Sequence, residues 1–296
     1  MILGVIFTLG AALCSASGFV ALKRGLEDVD YKVFVLFSLL TGLILTTLVL
    51  WLVGPGLQDL PFRAAIPFMI IGSVGGGLMA RISSVIATHE IGASKTHAII
   101  SASPLVTAVF GVFVLGEVIT IQLGVGIVAV VVGASFLSYL AYQGKEEGPS
   151  AEERRPRLGL ALTVYVVLLV GLQPVLQKMG LNMGATPLQG VFIRFLTGAV
   201  LYSGYLLFTR PELKIEGMNQ VKPFLLGSLF WALNPVFMLY ALQHIPSSVF
   251  AALFRTGPLF TLILTYAFLK GIERVNWKIG LGAALIISGA ILVSTT

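Results

Sequence analysis

The stretch from Ile91 to Glu117, IGASKTHAIISASPLVTAVFGVFVLGE, returns in altered form between Ile245 and Glu273. Ile91, Ser94, Ala98, Pro104, Leu105 and Thr107 correspond to Ile245, Ser248, Ala252, Pro258, Leu259 and Thr261, each 154 positions on (245 − 91, 258 − 104). Further along, Gly124, Gly126, Gly133 and Ala134 match Gly280, Gly282, Gly289 and Ala290 at an offset of 156 (280 − 124). Earlier, Val20, Lys23, Gly25 and Leu26 match Val175, Lys178, Gly180 and Leu181 at 155 (175 − 20), and Thr41 and Gly42 match Thr197 and Gly198. A near-constant offset over the whole length means one unit of about 150 residues used twice.

The unit is too apolar for water. Hydrophobic residues make up 57% of the chain and charged residues 11%, against roughly 25% charged in an ordinary soluble domain. The solvent is therefore a lipid bilayer. A bilayer admits helices that satisfy their own backbone groups, and one crossing takes about 20 apolar residues. Ten segments qualify: Ile2–Leu22, Tyr31–Val53, Ala64–Thr88, Ala93–Gly116, Ile119–Tyr142, Leu158–Gln177, Thr186–Phe208, Lys222–Gln243, Ser247–Leu269 and Val275–Ser294. Gly75–Gly77, Pro104, Pro174, Pro235 and Pro258 lie inside them, which a bundle tolerates because neighbouring helices take up the freed backbone groups.

The expected fold is an all-α membrane protein of ten transmembrane helices. The polar run QGKEEGPSAEERRPR, 143–157, separates a first repeat (1–143) from a second (158–296), with 144–157 as linker. Five crossings leave the chain on the opposite side, so the second repeat enters upside down. Two inverted five-helix repeats are an arrangement found in many secondary transporters.

Loop charge sets the orientation. Of nineteen Lys and Arg, three lie inside spans; Arg63 and Lys178 fall on one side and the remaining fourteen (19 − 3 − 2) on the other. The richer side is expected in the cytoplasm, with both termini outside. Because the basic residues sit in short loops, the net charge of +6 reports orientation rather than nucleic-acid binding. The single cysteine, Cys14, cannot form an internal disulfide. Leu13 precedes it where a lipoprotein cleavage site needs a small residue, so the first segment is read as a retained helix.

Three stretches resemble the EamA-like branch of the drug/metabolite transporter superfamily. They are Ser17-Gly18-Phe19-Val20-Ala21-Leu22-Lys23 closing the first helix, Arg194-Phe195-Leu196-Thr197-Gly198-Ala199 in the seventh, and Pro104 through Leu115-Gly116-Glu117 to Gly133, echoed by Pro258, Glu273 and Gly289. The resemblance covers nearly the whole chain. It implies a ten-helix alternating-access carrier in the plasma membrane, without a bound prosthetic group or metal, and leaves the substrate open. This sequence departs from the pattern at Phe37-Ser38, where the second repeat has Ile193-Arg194. Many members are also thought to keep both termini in the cytoplasm, opposite to the loop charges here.

Ionisable groups inside spans are costly and mark function. All thirteen acids fall in loops or at helix ends, whereas Arg81, Arg194 and Arg255 lie about seven or eight residues inside, roughly 10–12 Å at the helical rise. Snorkelling to the headgroups is the structural alternative. Three guanidinium groups without an intramembrane carboxylate favour an anion in a central cavity, because the guanidinium fork suits carboxylate and phosphate. The expected substrate is a small anionic or zwitterionic metabolite. His97 and Ser101 share a helix face with Ser94 and Pro104, and His97 can titrate near neutrality. Gln173 and Gln177 flank Pro174, and Trp231 and Asn234 lie beside Pro235; these six complete the expected substrate-binding set. For the glutamines and Asn234, interhelical hydrogen bonding is the alternative. Glu117 and Glu273 are read as caps of the turns that follow the repeated helix, and Trp51, Tyr202, Tyr205 and Trp277 as interface anchors.

The expected partners are a small-molecule substrate and the lipid bilayer, and the chain is read as a monomer or homodimer. One alternative is an exporter of amino acids or drugs without anion preference. A different class, an intramembrane enzyme, lacks support: no acid pair sits at membrane depth, and His89-Glu90 lacks the second histidine of a zinc helix.

Overall fold

A computed structural model describes residues 1–25, 31–52, 56–75, 78–142, 155–209, 221–268 and 277–295. Its helices are α1 (Ile2–Gly25), α2 (Tyr31–Leu52), α3 (Phe62–Ile70), α4 (Leu78–Ile91), α5 (Ala93–Ile100), α6 (Ser103–Leu115), α7 (Ile121–Tyr142), α8 (Pro156–Asn182), α9 (Pro187–Thr209), α10 (Val221–His244), α11 (Ser247–Phe254), α12 (Gly257–Phe268) and α13 (Trp277–Ser294). Among the described residues nine helical runs are long and apolar enough to cross a membrane.

The expected third crossing, Ala64–Thr88, is the one that falls short. It is divided into α3 and α4 by a π-helical turn at Ile71–Gly75, and Gly76 and Gly77 lie outside the described residues. Its apolar run Phe62–Ser73 is shorter than a span.

The repeated helix is also interrupted, twice and in the same way. The first copy breaks between α5 and α6 at Ser101-Ala102, the second between α11 and α12 at Arg255-Thr256, 154 residues on (255 − 101). The cause is local: Pro104 and Pro258 have no N–H to give to the carbonyls four residues back. Tighter bonds take over, and they correspond pair by pair. Ala102 N–H bonds the Ile99 carbonyl at 3.0 Å and Leu105 that of Ala102 at 3.0 Å; Thr256 bonds Leu253 at 3.0 Å and Leu259 bonds Thr256 at 2.9 Å. Each broken pair still makes one span, Ala93–Leu115 and Ser247–Ala267.

The chain forms two compact units, and each draws helices from both sequence repeats. One holds Met1–Ser73, Gln177–His244 and Phe260–Ile272. In it α1 packs along α10, and α2 along α9. The α2–α9 contact maps onto itself under the repeat. Gly42 faces the Phe195 ring, where an added Cβ would stand 2.4 Å from Cζ, and Gly198 faces Leu39 Cδ2 at 3.1 Å. Adding 156 turns Leu39 into Phe195 and Gly42 into Gly198. As one number rises the other falls, so the two helices run antiparallel.

The other unit holds Val74–Leu176, Ile245–Leu259 and Glu273–Thr296. Its backbone is the α7–α13 pair. A Cβ on Gly289 would lie 2.8 Å from the Gly126 carbonyl, and one on Gly133 would lie 2.9 Å from the Gly282 carbonyl. Gly126 and Gly282 are repeat equivalents, as are Gly133 and Gly289. This pair too is antiparallel, and the small residues let the two backbones meet.

Two sequence readings change here. Helix α8 runs on to Asn182, beyond the expected end at Gln177, so Lys178 is a helical residue, partly buried, and its Nζ donates to the Leu242 carbonyl. It does not count as a loop charge. Tyr202 is not an interface anchor: it is buried within α9, its ring 6.1 Å from that of Tyr205. Trp51 and Trp277 are exposed, as anchors require.

Candidate functional site

Arg255 stands at the second helix break, in a span, because Pro258 ends the preceding helical run there. Its guanidinium Nη2 donates to Ser103 Oγ, at the first break. The two interruptions are thus joined by one side chain within one unit. Arg255 is partly buried, and among the described residues no carboxylate pairs with it. His97, partly buried on α5, lies within electrostatic reach of it. Ser101, also in the expected set, is buried and already engaged: its hydroxyl is 2.9 Å from the His97 carbonyl and 3.3 Å from Ser138 Oγ. Gln173 is partly buried on α8 of the same unit. Two residues earlier, the Gly171 carbonyl accepts a bond from Thr107 Oγ1 at 2.7 Å, which ties α8 to α6. Arg81 lies on α4; its side chain is outside the described residues.

The remaining expected residues belong to the other unit. Arg194 is partly buried on α9. Its carbonyl sits 2.6 Å from where a Cβ on Gly72 would be, so α9 presses against the π-helical turn. Asn234 makes an interhelical bond, Nδ2 donating to the Ala11 carbonyl at 2.7 Å. The Trp231 indole packs where Gly18 leaves room. Gln177 is fully buried, and neither its Nε2 nor its Oε1 has a hydrogen-bond partner among the described residues. The structure therefore brings Arg255, His97, Ser101 and Gln173 into one unit, and Arg194, Gln177, Trp231 and Asn234 into another.

Sequence reasoning left Ser103 and Thr256 out of the binding set. It also placed Glu117 in the wrong role. Glu117 follows Gly116, whose left-handed conformation (φ 68) ends α6. Its carboxylate does not cap the following turn. It accepts from the N–H groups of Ser247 at 2.5 Å and Ser248 at 3.1 Å, and from the Ser248 hydroxyl at 2.6 Å. It caps the start of α11, supplying from the loop after α6 what Pro246 at the cap position cannot. Glu273 lies outside the described residues. Replacing Glu117 by Ala is expected to destabilise the protein by about 2–3 kcal/mol, since charge-assisted caps and hydrogen bonds are lost together. Gln, which keeps one oxygen, should cost about half. Thermal unfolding in nanodiscs checks both, and equal melting temperatures for all three proteins would refute the cap.

These features define a multi-pass helical membrane protein built from a doubled sequence unit, with a cation at a broken span. The profile of the EamA-like transporter family matches residues 2–139 and again 157–295. The chain belongs to that family, and so to the drug/metabolite transporter class of membrane transporters. No curated protein matches the chain. A solved structure described as "Crystal structure of protein" is similar over 99% of this chain and 96% of its own, with a TM-score of 0.77 at 15% identity. At that identity the likeness speaks for the fold alone.

Proposed function

We propose that the protein is a secondary carrier that moves a small anionic or zwitterionic metabolite across the plasma membrane by alternating access. The observation that carries this reading is Arg255, a guanidinium inside a span, at a helix break, with no described carboxylate to neutralise it. A partly buried cation inside a span without a described acid beside it is costly, and an anionic substrate offsets that cost when it binds. Arg81 and Arg194 add positive charge along other spans. His97, Ser101, Gln173, Gln177, Trp231 and Asn234 complete the proposed binding set, although Asn234 also serves as a helix tie.

The proposed topology is ten crossings as two inverted five-helix repeats, 1–143 and 158–296, joined by the 144–157 linker. The antiparallel, self-mapping contacts of α2 with α9 and of α7 with α13 support it, because a repeat that is inverted must place equivalent helices head to tail. The sequence count of Lys and Arg outside the spans, fourteen on one side against Arg63 and Lys178 on the other, supports both termini outside. No catalytic residue, metal or cofactor enters the proposal, and the working form is a monomer or homodimer.

Uptake into proteoliposomes tests the substrate class. Labelled organic acids, phosphate esters and amino acids are expected to move faster than lipophilic cations. A preference for the cations would make the protein an exporter without anion selectivity.

A further inference from the structure

Equivalent breaks carry different side chains. The first has Ser101-Ala102, the second Arg255-Thr256. At the first, Ser101 is engaged by the His97 carbonyl and Ser138, and Ala102 offers nothing polar. At the second, Arg255 gives Nη2 to Ser103. A guanidinium has five N–H donors, so most of its fork stays available. Thr256 is 5% exposed, and its hydroxyl has no partner among the described residues. It occupies the position immediately before α12, where a threonine oxygen ordinarily accepts an N–H from the first turn. Here it does not. A buried hydroxyl without a partner costs free energy. It stands beside a cation and at the positive end of a twelve-residue helix, so the three features together lack one thing, an acceptor bearing negative charge.

We infer that the second break is a carboxylate site: the Arg255 fork takes the two oxygens of a substrate carboxylate, and the Thr256 hydroxyl donates to one of them. This rests on the carrier reading above and names its substrate class. A carboxylate suits the donors better than a phosphate does. Phosphate sites at helix starts draw on several successive backbone N–H groups, and Pro258, second in α12, supplies none. A planar, singly charged group matches one guanidinium and one hydroxyl. The asymmetry of the breaks puts a single such site in the two repeats.

The test uses the full-length protein in proteoliposomes, with pyruvate, glycerol 3-phosphate, inorganic phosphate and alanine as probes. The variants are Thr256→Val, which keeps the shape and loses the hydroxyl, and Thr256→Ser, which restores it. The wild type is expected to carry a carboxylate-bearing probe in preference to both phosphates. Thr256→Val should raise its KM about tenfold, the loss of one hydrogen bond to a charged group. Thr256→Ser should return it to within about twofold. Thr256→Val should also melt above the wild type without ligand, since the unpartnered hydroxyl is gone, which separates a lost contact from a damaged fold. Preference for the phosphates, or an unchanged KM in Thr256→Val, would overturn the carboxylate site and leave the anion carrier standing. Transport of none of these anions by the wild type would overturn both.

Discussion

Exchange of Arg255 for Gln is expected to lower kcat/KM for an anionic substrate by at least about 30-fold. The Gln side chain is two bonds shorter and does not reach Ser103 Oγ in place of Nη2, so the comparison is made between proteins of equal melting temperature. What is lost is the charge and the fork. A hydrogen bond to a charged group contributes about 1.5–3 kcal/mol, and each 1.4 kcal/mol is roughly a factor of ten. Lys at this position keeps the charge as a point without the planar fork, so Arg255→Lys should fall between the two, near a tenfold loss. Initial rates in proteoliposomes, compared at equal reconstituted protein and equal melting temperature, give the answer. Full activity in Arg255→Gln would mean that the guanidinium only pins α6 to α11, and the anion reading would lose its main support.

Exchange of Gly289 for Val should cost the protein more than about 3 kcal/mol, at or beyond the usual range for overpacking. A Cβ there would meet Val130 Cγ2 at 2.7 Å, the Gly126 carbonyl at 2.8 Å and the Val130 nitrogen at 2.8 Å. Two of these three are backbone atoms of α7, which cannot turn aside as a side chain can. The helices would have to part, and the matching contact of Gly133 with Gly282 would open with them. Gly280, on the same helix, has nothing within 4 Å of an added Cβ. Gly280→Val therefore carries the same change in helix propensity without the clash. A drop in melting temperature of roughly 6–12 °C is expected for Gly289→Val, at 2–4 °C per kcal/mol for a chain of a few hundred residues, against little change for Gly280→Val. Equal behaviour of the two variants would mean that α7 and α13 are not held by backbone approach.

Much of this was readable beforehand, for physical reasons. Apolar runs of spanning length, the doubled motifs and the Pro/Gly spacing are local or periodic properties, and they gave the helical membrane class, the family and the position of most crossings. The two breaks were foreshadowed by Pro104 and Pro258. What failed to appear was whatever depends on a partner far along the chain. Glu117 looks like the cap of its own turn until α11 is seen to start against it, 130 residues later (247 − 117). Lys178 looks like a loop charge until its Nζ is found on Leu242. Asn234, expected either to line a cavity or to tie helices, bonds the Ala11 carbonyl, and Ser101 meets Ser138 on α7. The third crossing is the one not recovered as a single long helix among the described residues: hydropathy averages over the segment without registering the π-helical turn at Ile71–Gly75. Thr256 carried no signal at all: its unpartnered hydroxyl follows from packing, and its repeat equivalent is an alanine.

A carrier that opens to one face at a time can bring labelled substrate in each time it returns from releasing unlabelled substrate outside. Proteoliposomes preloaded with unlabelled substrate and diluted into a trace of the labelled anion are expected to show a transient, saturable accumulation above the external concentration, absent in Arg255→Gln. Linear, non-saturable equilibration that preloading does not accelerate would contradict alternating access and point to a channel.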